Sequence, residues 1–340
     1  MAPLAVRQQA VLEKSALRCV TVLTTHECNS RCVACGYWRQ NDHARIDPSV
    51  VTRMVPWFKR HGVRRVCWSG GEPTLHPEFA SLVKTTHAAG LCNTVLTNGS
   101  TFTHVYPEIR DYVDHFILSL DSPTERLFRK VRGSYSFEKL LLVPETIHHV
   151  SPHTTVTVSF LLHALNIDHV LDCVDLAGHI GADRIAFLAL DYDSLDSPEC
   201  RGEAFGWRTR TTNVIKRLRP TPAQVERFGH SLPTILEKIA EYPALQCGNN
   251  SLNRLLQYLR SFASGIRRTS MLATCPVAAD HVLLTVEGDI RICWLSQESF
   301  RTDVAGDPLL QRAIRRARMR LLKDPAVQAG LCATCIQGQY

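Results

Sequence analysis

Three thiols lie close together near the start of this 340-residue chain: Cys28, Cys32 and Cys35, spaced C-x3-C-x2-C. Three thiolates on one short loop can hold three irons of a four-iron cubane and leave the fourth iron without a protein ligand. An open coordination position is what chemistry at a metal requires. A tetrahedral structural zinc is the other reading of the same loop, with His26 as its fourth ligand. The chain has 13 cysteines, no apolar run of membrane-spanning length, and no signal-peptide core in its first residues. A cytoplasmic location is therefore expected. In a reducing compartment, cysteine at this level reads as metal ligation or catalysis rather than a disulfide framework.

The elements that would carry this loop follow from pattern. Cys19 to Thr25 is apolar and β-branched, so the thiols sit at the C-terminal end of a strand. Asp47 caps a helix that starts at Pro48 and stops at Gly62. Further strands are expected at Arg64–Trp68, Asn93–Leu96, His115–Asp121, Thr154–Leu162 and Asp183–Leu190. Helices are expected from Pro77 to Gly90, Ser136 to Val150, Asp168 to Ile180, Pro222 to Glu241 and Asn249 to Ser264. Strands alternating with helices at this interval imply parallel βα units. Six of them give an α/β fold, an open partial (β/α)6 barrel, whose chemistry belongs at the C-terminal strand ends.

The polar motifs fall at those ends. Ser69-Gly70-Gly71-Glu72-Pro73 follows the second strand, Thr97-Asn98-Gly99 the third, and Ser119-Leu120-Asp121-Ser122 the fourth. Arg132-Gly133 closes a helix-like stretch. Paired glycines let a backbone approach closely, and Glu72 is an acceptor suited to an amine. Ser119 and Asp121 alternate onto one strand face and can address one ligand. Together with the cysteine spacing, these motifs resemble those of radical S-adenosylmethionine (SAM) enzymes. The resemblance implies that SAM chelates the open iron and is cleaved by an electron from the cluster to a 5′-deoxyadenosyl radical. It implies that Gly70, Gly71, Glu72 and Pro73 receive the methionyl amine, that Asn98 lines the third-strand loop, and that Ser119 and Asp121 reach the ribose and carboxylate. Arg132 would hold the SAM carboxylate, for which a guanidinium fork is suited. Family members usually carry an aromatic residue just before the third cysteine. Here that position is Ala34, with Tyr37 and Trp38 following instead, so the resemblance leaves the adenine's stacking partner open; Tyr37 is the candidate SAM contact.

A second cysteine set closes the chain. Cys275 is followed by twelve residues, then Gly288, then four more and Cys293; Cys332-Ala333-Thr334-Cys335 comes last. Residues 282–286 and 290–293 flank Glu287-Gly288-Asp289 as a hairpin. This resembles the twitch form of the SPASM extension, which implies a second, fully protein-ligated 4Fe-4S cluster suited to electron transfer. Four-cysteine zinc is the alternative there. The expected division is residues 15–215 for the radical SAM core, 216–270 for a helical connection and 271–340 for a small β-hairpin/helix auxiliary-cluster domain.

The formal net charge is +7, thickened at Trp207–Arg219 and Arg312–Arg320. The bland reading is solvated helix faces; the sharper one is an anionic substrate. Missing aromatic interleaving argues against nucleic acid, and no membrane partner is expected. About 16 residues precede the first strand, too few for a separate peptide-recognition domain. The expectation is thus a small-molecule substrate oxidised at a C–H centre with help from the auxiliary cluster, and an electron donor such as flavodoxin or ferredoxin. Peptide maturation, epimerisation and C–C coupling remain alternatives, as does a non-catalytic electron-transfer or zinc-scaffold protein. Cys200 and Cys247 lie in expected loops and are the candidate hydrogen donors.

Overall fold

The computed structural model describes residues 17–39, 43–133, 137–190, 217–247, 251–263, 280–292, 298–302 and 308–323. The first six strands are β1 (Cys19–Thr25), β2 (Arg65–Gly70), β3 (Cys92–Thr97), β4 (His115–Ser119), β5 (Thr155–Leu162) and β6 (Arg184–Ala189). They lie side by side in sequence order, every neighbouring pair parallel. A two-residue β7 (Gln246–Cys247) extends the β6 edge in parallel. At the other edge β8 (His281–Leu284) pairs parallel with β1, and β9 (Asp289–Arg291) and β10 (Ser299–Arg301) follow antiparallel. Among the described residues this is one open, mostly parallel ten-stranded sheet.

The helices are α1 (Pro48–Arg60), α2 (Phe79–Ala88), α3 (Phe102–Ile109), α4 (Glu125–Arg132), α5 (Phe137–Leu141), α6 (Val143–Val150), α7 (Val170–His179), α8 (Pro222–Ala240), α9 (Ser251–Ala263) and α10 (Pro308–Lys323). Strand residues of one parity, including Val20, Val22, Val66, Trp68, Val95, Phe116, Val158, Phe160 and Phe187, are buried in the apolar core. The other parity carries Thr21, Cys67, Thr94, His115 and Thr157, a polar inner face.

Local chemistry explains where the elements begin. Asp47 accepts the Ser49 N–H at 2.8 Å and Pro48 opens α1, as a capped first turn requires. The single helix expected from Ser136 to Val150 is two, because Pro144 lacks an N–H and starts a new first turn. The short α3 was not legible, since its eight residues include Pro107. The C-terminal hairpin turns at Gly288, whose φ is 84°, and joins the core sheet through β8 rather than standing apart from it. No described helix is long and apolar enough to cross a membrane. Cys200, Cys275, Cys293, Cys332 and Cys335, and the basic run up to residue 216, lie outside the described residues.

The inner face holds two half-buried imidazoles at the N-terminal strand ends. His115 Nε2 is 2.8 Å from Thr157 Oγ1, and His281 Nε2 is 2.8 Å from Thr21 Oγ1. Burial, aided by Arg184 and Arg65 at His115 and by Arg318 at His281, lowers both pKa values from 6.5 to about 4. Between about pH 6.5 and about pH 4 the unfolded chain therefore binds protons that the folded chain refuses. Stability falls as pH falls through that window, and above it these rings have no effect. His115→Gln and His281→Gln should each flatten the slope by about one proton, or ~1.4 kcal/mol per pH unit. Denaturant melts across the window measure this; an unchanged slope in both variants would show that neither ring resists protonation.

Candidate functional site

The loop after β1 is clamped from both sides. On one side Gly71 N–H donates to Thr25 O at 2.7 Å and Glu72 N–H to Glu27 O at 2.8 Å. On the other, Arg31 N–H donates to Arg132 O at 3.1 Å and Val33 N–H to Val131 O at 2.9 Å, so the loop docks on the C-terminus of α4. Asn29 adds side-chain links to Ser100 at 2.7 Å and to Asn98 at 2.9 Å. Trp38 Nε1 closes the end of the loop on Cys32 O at 3.0 Å.

This clamp holds Cys28, Cys32 and Cys35 as partly buried free thiols. Burial pushes Cys28 up to about 11 and Cys35 up to about 12, and raises Cys32 as well. At Cys35 the charges of Cys32 and Cys28 push the same way, as that of Cys32 does at Cys28. Arg132 pulls all three down. Thiolates held this way need compensating positive charge. Among the described residues no three His, Cys, Asp or Glu side chains group tightly enough for a single metal ion. His26, the zinc candidate, is buried with its ring 5.9 Å from that of Tyr37.

The glycines after β2 serve the clamp directly. Gly70 has φ +123°, and a Cβ there would lie 2.5 Å from Thr25 O. At Gly71 a Cβ would lie 2.1 Å from Glu27 O. The close approach their lack of a side chain permits is therefore to the cysteine loop's own backbone. Glu72 is buried. Its Oε2 accepts the Asn98 N–H at 2.7 Å and its Oε1 the Thr97 hydroxyl at 2.7 Å, with Thr74 on the same oxygen. Burial raises its pKa against these bonds. Pro73 is buried at the start of the next turn.

At the fourth strand the structure departs from the expected alternation. β4 ends at Ser119, which is half-buried, and Asp121 takes a left-handed φ of 55°. The two side chains therefore do not share a strand face. Asp121 Oδ2 instead accepts Arg132 Nη1 at 2.8 Å and Oδ1 accepts the Leu161 N–H at 2.6 Å. Cys247 was expected in a loop near the substrate. It stands in β7 opposite Ile185, near the first residues of β6 and thus at the N-terminal end of the sheet, the end away from the cysteine loop. That position removes it as a hydrogen donor.

One residue here escaped the sequence reading. His163 follows β5, is fully buried, and accepts the Leu165 N–H on Nδ1 at 3.2 Å, leaving Nε2 as a donor without a partner. Its position just past a parallel strand's C-terminus was the available signal.

Residues 22–177 match the family model of the Radical SAM superfamily. This stretch is a radical SAM domain. A probable GTP 3',8-cyclase of Thermococcus kodakarensis is 28% identical over 162 residues, covering 46% of this chain and 52% of that protein. A PqqA peptide cyclase of Ruegeria pomeroyi is 27% identical over 207 residues, covering 59% and 51%. The chain thus spans about half the length of these curated relatives. SuiB of Streptococcus suis, solved bound to S-adenosylmethionine, shares the fold with a TM-score of 0.67 at 16% identity, over 98% of this chain and 76% of SuiB. The open parallel sheet agrees with this radical SAM fold.

Radical SAM proteins bind SAM and a 4Fe-4S cluster. The donor set here suits that group: three partly buried thiols on one clamped loop at the C-terminal strand ends, docked on the helix end that carries Arg132. A cubane presents a separate iron to each thiolate, so its ligands need not converge on one point as they must around zinc.

Proposed function

We propose that this radical SAM enzyme holds its SAM-cleaving 4Fe-4S cluster on Cys28, Cys32 and Cys35 and oxidises a C–H centre of a small anionic substrate. The observation that carries the reading is the cysteine loop itself, fixed by hydrogen bonds from the β2 turn and the α4 terminus. When bound, the cluster supplies the electron that splits SAM to methionine and the 5′-deoxyadenosyl radical that abstracts hydrogen from substrate. Glu72 is the proposed acceptor for the SAM amine. Burial raises its pKa, and an ammonium beside it would favour the charged carboxylate. Gly70, Gly71 and Pro73 shape that turn, and Asn98 and Ser119 border the same strand ends. Tyr37 offers its ring to the adenine. Asp121 acts through Arg132 rather than by direct contact.

Cys275, Cys293, Cys332 and Cys335 are proposed to hold an auxiliary 4Fe-4S cluster, fully ligated and so fitted to accept the electron that an oxidised substrate must lose. A flavodoxin or ferredoxin is the proposed reductant. The nucleotide named in the GTP 3',8-cyclase relative supports an anionic substrate. A peptide is the second reading, favoured by the 207-residue match to PqqA peptide cyclase.

Reconstituted enzyme reduced with dithionite should form 5′-deoxyadenosine from SAM. Nucleotide and peptide panels then separate the two readings. Oxidation gives one 5′-deoxyadenosine per product, a product two hydrogens lighter, and no deuterium from heavy water. Deuterium at the reacting carbon with unchanged mass in ordinary water would replace oxidation by epimerisation.

A further inference from the structure

Arg132 is held more tightly than contact with a SAM carboxylate alone would need. Its backbone carbonyl accepts the Arg31 N–H at 3.1 Å. Gly133 turns the chain away at φ 57°, where a Cβ would lie 2.8 Å from Arg31 O. The helix end is thus pressed against the cysteine loop. The Arg132 side chain is 13% exposed and that of its partner Asp121 7%. Asp121 is fixed in turn: the Leu161 N–H takes Oδ1, and Asn166 Nδ2 donates to its carbonyl at 2.9 Å, securing the left-handed backbone. One arm of the fork, Nη1, is therefore committed to Asp121. Nε is buried and has no hydrogen-bond partner.

We propose that Arg132 and Asp121 form a charge pair that sets the reduction potential of the cluster on Cys28, Cys32 and Cys35. The inference rests on the proposed function in placing a cluster on those thiols. The cationic arginine, tied through its backbone to Arg31 next to Cys32 and carrying a spare donor, makes an added electron easier to accept, and Asp121 partly offsets it. Cluster potentials respond to net charge and to hydrogen bonds at sulfur. The pair is a positioning and tuning element that acts on the cluster in the absence of SAM as well as in its presence.

The test is a potentiometric titration of the reconstituted, SAM-free enzyme, followed by its reduced-cluster EPR signal, with dithionite as reductant. At a fixed applied potential, Arg132→Gln should lower the reduced-to-oxidised ratio about tenfold, equivalent to about 59 mV for one electron. Asp121→Asn should shift it the opposite way, since asparagine tolerates the left-handed backbone and can still accept the Leu161 N–H. Arg132→Lys keeps the charge and should shift less than Arg132→Gln. If Arg132→Gln fails to load iron, the opposed shifts of Arg132→Lys and Asp121→Asn carry the test. Unchanged potentials with SAM affinity lost would overturn the proposal and return Arg132 to the SAM carboxylate. A wild-type chain without a four-iron cluster would overturn the underlying reading instead, before any variant is compared.

Discussion

Replacing Cys28, Cys32 and Cys35 together by alanine should remove about half of the iron taken up on anaerobic reconstitution, about four of about eight atoms per chain. Formation of 5′-deoxyadenosine from SAM should fall to background. The reasoning separates scaffold from ligand. The clamp on this loop runs through backbone groups of residues 27, 31 and 33 and through the Asn29 side chain, none of them a thiol. Alanine removes three donors that burial already holds above their ordinary pKa and leaves the loop's tethers in place. Far-UV circular dichroism should therefore change little while iron, sulfide and activity fall together. Stoichiometric zinc without sulfide in the wild-type chain would sink the cluster reading. About four irons in the wild type and none in the triple variant would keep the first cluster and remove the auxiliary one.

The fold was legible wherever the information was local. The β-branched run of β1, the Asp47-Pro48 cap and the alternation of strands with helices all stand where pattern placed them. The position of the three thiols past a strand's C-terminus followed from the same reasoning. What failed was non-local or conformational. Strand periodicity was extended through Asp121, but aspartate tolerates a positive φ, and the turn at φ 55° sends its carboxylate to Arg132. Nothing in the spacing of residues 121 and 132 announces an ion pair. Cys247 looked accessible because a two-residue strand has no periodicity to detect; only its pairing with β6 reveals which end of the sheet it occupies. The hairpin at 282–293 was readable from Glu287-Gly288-Asp289, whereas its attachment to β1 across more than 250 residues was not. The paired glycines were found, but for half of the reason. Their absent side chains make room for the cysteine loop, which sequence alone cannot place opposite them.

That close approach gives the second large effect. A Cβ added at Gly71 would lie 2.1 Å from Glu27 O, 2.6 Å from Glu27 C and 2.9 Å from His26 O. All three are backbone atoms, so no side chain can rotate out of the way. Glu27 directly precedes Cys28 and also receives the Glu72 N–H. Relief of the overlap must therefore shift the base of the cysteine loop, part the β2 turn from it, or both. Gly71→Ala should cost about 3 kcal/mol or more by overpacking and lost hydrogen bonds. It should also lower the iron held on Cys28, Cys32 and Cys35, although residue 71 is no iron ligand. Gly181→Ala is the matched control. Its φ is +72° and nothing lies within 4 Å of the added Cβ, so it carries backbone strain alone, of about 1 kcal/mol. It should load iron fully with a modest drop in Tm. Full iron loading and a wild-type Tm in Gly71→Ala would mean that the β2 turn does not hold the cysteine loop, and the clamp would have to be assigned to α4 and Asn29 alone.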